Sequence, residues 1–175
     1  MELNEGLGLT SNVILRAYER GLIPWLTAHG FSYDDARCRA AEHIVGSVWS
    51  HNIIVTSGKV LVAKMLMDAS GYDTGLTYCA IGSDSTTPAV GDTTLATEEN
   101  RVAVTSKSRT VNAVTYSTFF TAAQSTYAIE EVGLFGHSTA SGTTDSGELF
   151  NHALLSYDNS AASVDLTIDV AITFG

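Results

Sequence analysis

The chain has 175 residues, 45% of them hydrophobic and 16% charged. Nine Lys+Arg against 19 Asp+Glu leave a net charge of −10. The length suits one domain or a domain with a small appendage, and the acidic balance disfavours direct binding to nucleic acid or to an anionic membrane.

The composition changes near residue 53. Before it, two helices are expected. In 12–22, NVILRAYERGL, Val13, Ala17 and Gly21 fall on one stripe and Ile14, Tyr18 and Leu22 on the next. In 32–49, Ser32 and Asp35 make a capping-box variant. Ala36, Ala40 and Ile44 follow as a small-residue face suited to close packing on a partner. A third helix is expected over 56–71, with Ser57 as cap and Gly71 as stop.

From residue 76 the chain reads as strands: 76–83, 101–109, 113–120, 127–136, 148–157 and 163–174. The last alternates most strictly. Val164, Leu166, Ile168, Val170, Ile172 and Phe174 point to a core, and Asp165, Thr167, Asp169, Ala171 and Thr173 to solvent. Such strands, separated by turn residues, predict a mainly β protein: an antiparallel β-sandwich preceded by an N-terminal helical segment. The expected division is a docking segment at 1–51 and a sandwich domain with its leading helix at 52–175. Long Ser/Thr/Gly loops at 82–97 and 137–147 are the natural places for contacts.

Candidate chemistry is sparse. Glu130 and Glu131 are adjacent, and neighbours on a strand point to opposite faces, so they do not converge on one substrate without a bulge. Glycosidase carboxylates flank one bond from about 5–9 Å apart, usually on different elements. The pair therefore reads as one outward acid and one inward acid held by a buried base. Arg101, opening a strand, is the expected partner of Glu131. Gly133 reads as a bulge or a close backbone approach.

His29, Cys38, His43 and His51 match no standard zinc spacing. SGKV at 57–60 lacks the upstream glycine and final Ser/Thr of a phosphate loop. GSDS at 82–85 is not a nucleophile elbow, and nothing in the pattern positions His137 or His152 beside a serine. No catalytic, cofactor-binding or metal-ligating residue is assigned, and no cofactor is expected. Cys38 and Cys79 are too few for a disulfide framework and read as buried or half-buried thiols. MELNEGLGLTSN has no signal-peptide pattern, and no apolar run approaches the roughly 20 residues of a membrane span.

The β segments in order resemble a phage tail-collar or tail-fibre family. The resemblance rests on Ile81-Gly82, Thr87-Pro88, Asp92-Thr93-x-Leu95, Glu98 and Arg101, then on YAIEEVGLFG, GELFNHALLS and the lead-in NIIVTSGKVLVAKML. The second of these is similar to the family's Ile-x-Glu-x-Gly-Leu-Phe strand, and the third to its Leu-Phe-x-Arg/His segment. It covers residues 52–175 and implies a non-enzymatic structural protein of a tailed bacteriophage, located in the virion and assembled in the host cytoplasm. Its implied partners are other virion proteins of tail, neck or capsid and further copies of itself. A head-decoration or capsid-vertex protein is the alternative within that class. A carbohydrate-binding module stacking sugars on Trp25 and Trp49, and a hydrolase using Glu130, Glu131 or Asp92, are the alternatives outside it.

Overall fold

The computed structural model describes residues 8–175; the first seven residues of the expected docking segment lie outside it. In chain order the elements are β1 (Leu9–Glu19), α1 (Leu22–Ala28), α2 (Tyr33–Arg39), β2 (Ile44–Ile54), α3 (Thr56–Leu66), β3 (Leu76–Gly82), β4 (Glu98–Ala103), β5 (Ser106–Thr110), β6 (Ala113–Phe120), β7 (Ala128–Gly136), β8 (Glu148–Asp158) and β9 (Val164–Phe174). The protein is mainly β and its strand pairs are antiparallel, as expected.

The sandwich is replaced by a single curled sheet, a half-barrel, with strand order β4-β3-β7-β8-β2-β1-β9-β6-β5. Connectivity explains the curl. β4 and β5 occupy opposite ends of that order, yet only Val104 and Thr105 separate them. Three residue steps span at most about 11 Å, so the two edges must come together. The link is bonded on both sides. Val104 N–H donates to Thr77 O at 2.8 Å and Thr105 N–H to Ser117 O at 2.8 Å.

The N-terminal segment departs most from expectation. Residues 9–19 form β1, hydrogen-bonded to β2 on one side and to β9 on the other. Val13 and Ala17 are four apart, a spacing that is one helical turn or two strand pleats. The alternation of buried Val13, Leu15 and Ala17 with half-buried Ile14 and Arg16 follows the pleat. The eleven-residue β9 supplies a partner along the whole length of β1. The expected boundary at 51/52 falls inside β2, which pairs with β1 through His51 and with β8 from Asn52.

α2 begins at the expected cap: Ser32 Oγ accepts from Asp35 N–H at 3.1 Å. It ends at Arg39, and Ile44 already belongs to β2, so the stripe Ala36–Ala40–Ile44 does not exist. Ala36 and Ala40 are fully buried in this chain's own cluster with Tyr18, Ile23 and Leu26. Their small side chains seat α1 and α2 on the outer face of the sheet and are not available to a partner. Ser57 is not the cap of α3; its hydroxyl donates to Leu149 O at 2.8 Å and ties the helix to β8.

Three apolar clusters result. The largest fills the inside of the curl and includes Val13, Leu15, Phe120, Ile129, Val132, Phe150, Leu166, Ile168 and Val170. The second lies under α1 and α2. The third, Val55, Ala80, Leu95, Phe135 and Leu149, lies beneath the segment 83–97. β9 is covered on both faces, so its acids are not in solvent: Asp165 and Asp169 are buried. Asp165 accepts Gly21 N–H and Ala122 N–H, each at 2.7 Å. Asp169 accepts from Arg16, from Arg37 at 2.5 Å and from Ser117 at 2.5 Å.

Among the described residues no helix is long and apolar enough to cross a membrane.

Candidate functional site

The fifteen residues between β3 and β4 form no helix or strand, and three side chains hold them on the sheet. Glu131 projects from β7 toward them and is fully buried. Its Oε1 accepts Thr97 N–H at 2.7 Å and its Oε2 accepts Ala96 N–H at 2.9 Å. His152 comes from β8, two residues from the position opposite Glu131. Its Nε2 lies 2.8 Å from Glu131 Oε2 and its Nδ1 lies 2.8 Å from Asp92 Oδ2. Asp92 Oδ2 also accepts Ala89 N–H at 2.8 Å. An Asp–His–Glu chain therefore runs from the loop to the sheet. A pocket of about 300 Å³, lined by Thr86, Thr87, Asp92, Thr94 and His152, opens beside it.

Local sequence places these groups. Period-2 alternation sends Val132 and Leu134 into the curl and Glu131, Gly133 and Phe135 outward. A register shift between Ile129 and Glu131 leaves Glu130 in the irregular position, where Ser156 Oγ donates to it at 3.2 Å. Only one acid of the pair is thus buried. Gly133 is a close approach, as expected: a Cβ there would lie 2.7 Å from Leu149 Cδ1. The same holds for Gly82, where a Cβ would lie 2.4 Å from Glu131 Oε1, and for Gly58, where it would lie 2.0 Å from Phe150 O.

The pairing of Arg101 with Glu131 is not formed. Arg101 grips Glu98 through Nε at 2.6 Å and Nη2 at 2.5 Å, donates to Ser146 O at 2.6 Å, and stacks 4.0 Å above the Phe135 ring. Glu98 lies at i−3 on the same strand segment, and its carboxylate meets the guanidinium fork in two bonds. Glu131 does have a buried basic partner, but it is His152. The resemblance to a Leu-Phe-x-Arg/His segment pointed at residue 152; strand periodicity alone did not.

Charge follows geometry. Burial pushes the Glu131 carboxyl up, but the bonds from His152, Thr97 and Ala96 outweigh it and hold the group below its ordinary range. Burial pushes His152 down, and the bonds to Glu131 and Asp92 reverse this and hold it above its ordinary value. Chemically the set is a clasp. A nucleophile triad needs a hydroxyl or thiol at the ring nitrogen opposite the acid; here a second carboxylate occupies that place.

The other candidates do not converge. His29 packs at a tilt on Trp25, His51 meets Trp49 edge to face, His43 lies 3.4 Å from Glu19, and Cys38 is exposed while Cys79 is buried. Among the described residues no group of three or more His, Cys, Asp or Glu is placed to hold a metal ion. Trp25 and Trp49 are both more than half exposed, Trp49 on the outer face of β2 beside Val45.

Comparison of the chain with protein-family models, with curated proteins and with solved structures finds no match.

Proposed function

We propose that this chain is a non-enzymatic structural component of a tailed-bacteriophage particle, serving in the tail, collar or fibre attachment and assembling there as a homo-oligomer. One observation carries the reading. The scattered residues of the family-like pattern, Gly82, Asp92, Leu95, Glu131, Phe135, Leu149 and His152, meet around one loop and fix it to the sheet. Every polar atom of Glu131 and His152 is used in that task, which suits a scaffold that presents a loop rather than a site that turns over a substrate.

Because Ala36 and Ala40 are spent internally, assembly uses other surfaces. The exposed apolar side chains Val45 and Trp49 of β2, and Leu66 and Met67 at the end of α3, are the best-suited contacts. Symmetric attachment sites favour multimers. Exposure of Trp25 and Trp49 also favours a second reading, a module that stacks sugar rings on these two indoles.

Sizing of the purified chain and labelled imaging of the phage particle test the proposal. The expected result is a concentration-stable multimer found on the particle, broken by Trp49→Asp in a chain that keeps its β circular dichroism. A monomer absent from the particle overturns it. So does hydrolysis of a host glycan that disappears in Glu131→Gln, and a glycan bound through Trp49 moves the assignment to the second reading.

A further inference from the structure

Both ring nitrogens of His152 face carboxylate oxygens at 2.8 Å, Nε2 toward Glu131 and Nδ1 toward Asp92. A neutral imidazole has one N–H and one lone pair and can donate to only one of them. An imidazolium donates to both. The arrangement is therefore complete only with a charged ring between two charged acids. We propose that His152 is a pH-operated latch, which when protonated pins the segment 83–97 to the sheet and when deprotonated frees its Asp92 end.

The surroundings define what the ring senses. From β7 it faces Glu131, and from the loop it faces Asp92, with Asp84 of the same loop within electrostatic reach. β2 sets the apolar Ile53 opposite it. α3 packs on this part of β8 through Ser57 and Gly58, both uncharged. No base faces the ring from these elements, so loss of its proton leaves a lone pair on Nδ1 directed at an anionic oxygen, with nothing to compensate.

The loop is built to respond. Asp92 is the member of the clasp that reaches solvent, with 28% of its side chain exposed, whereas Glu131 is fully enclosed. Glu131 keeps its two backbone N–H bonds at 96 and 97 when the histidine is neutral. The Asp92 end then keeps the Thr56 N–H bond to Val90 O at 2.7 Å as its tie to the rest of the chain, since the Ala89 N–H bond to Asp92 lies within the loop. Release there lifts the loop from its pocket and loosens Leu95 from Ala80, Phe135 and Leu149. The clasp would make presentation of this loop, and of the apolar strip under it, conditional on protonation.

This inference rests on the three side chains as a loop holder and not on the assignment to a particle. Hydrogen exchange resolved by residue, corrected for intrinsic rates, tests it across about pH 5 to about pH 9, with the imidazole nitrogen shifts of His152 followed in the same samples. The expected result is a fall of about tenfold or more in protection at Thr56, whose N–H bonds Val90 O, in step with the His152 titration and beyond any fall at Ala96 and Thr97, which Glu131 still holds. Asp92→Asn, whose amide can meet a neutral ring, and His152→Arg, whose charge is permanent, should both flatten the profile. Protection that stays level while His152 titrates overturns the latch, as does a full fall retained in Asp92→Asn. If His152→Arg does not fold, the Asp92→Asn result decides. Neither outcome touches the sizing and imaging that test the assembly role.

Discussion

The carboxylate of Glu131 lies in the space that a side chain on Gly82 would fill: a Cβ at residue 82 would stand 2.4 Å from Glu131 Oε1 and 2.5 Å from Thr97 O. The glycine of β3 and the acid of β7 are one unit, opposite each other in the sheet. Gly82→Ala must push Glu131 off its two backbone partners. The expected loss is about 2–3 kcal/mol in urea unfolding, the scale of overpacking at an enclosed site. Gly91→Ala, which meets nothing within 4 Å, serves as the control and should stay within about 0.5 kcal/mol of the native chain.

A double-mutant cycle separates the two possible partners of Glu131. Removing Glu131 leaves two backbone N–H groups and the Nε2 of the buried His152 without their partner, so Glu131→Ala should cost about 3 kcal/mol. Coupling with His152→Ala should exceed about 1 kcal/mol. Coupling with Arg101→Met should stay below about 0.5 kcal/mol, because Arg101 is satisfied by Glu98 and Ser146 and shares no bond with Glu131. Equal couplings would return Arg101 to the role of partner.

Stability should depend on pH from both sides. His152 binds its proton more tightly folded than unfolded, so its contribution is full below the ordinary histidine value and is lost as pH rises through the raised folded value. Glu131 releases its proton more readily folded than unfolded. Its contribution is full above the ordinary glutamate value and is lost as pH falls through the lowered folded value. The stability plateau lies between these limits. Urea midpoints across pH should show both arms, and His152→Arg should remove the alkaline arm alone.

Asp169 anchors the outer face of the sheet. Asp169→Ala leaves Arg16, Arg37 and Ser117 around an empty position and should cost about 3 kcal/mol or more. Arg16→Ala leaves the Arg37 and Ser117 bonds intact and removes the more exposed guanidinium, so a loss near 1 kcal/mol is expected. Thermal melts of the two variants, which should differ in this order, check the assignment.

Most strands from residue 76 onward were legible because alternation and turn residues are local signals; 101–109, read as one strand, is divided at Val104–Thr105 between β4 and β5. The paired side of β9, Leu166, Ile168 and Val170, is in the core as read. Its other side was misread, since alternation separates two faces but does not say whether the second meets water. α1 and α2 cover it, and the acids there are buried with arginines and backbone N–H groups. β1 was hidden because Val13 and Ala17 satisfy both periods. Of the clasp, the buried acid was legible and its partner was not.

The sequence by itself determined a mainly β protein, the capped start of α2, the buried acid in β7 and the need for glycine at 133. Each follows from local chain geometry: pleat period, capping spacing and the absence of a side chain. Tertiary structure alone decided that the sheet curls, that residues 9–19 become an inner strand, and that Glu131 meets His152 and Asp92 instead of Arg101. Those outcomes depend on contacts between residues tens of positions apart, where several bases compete for one acid and the strand order chooses among them. In the end it is the register of β7 against β8, and the short link that draws β4 to β5, that turn a pair of adjacent glutamates into one half-buried acid and one clasp.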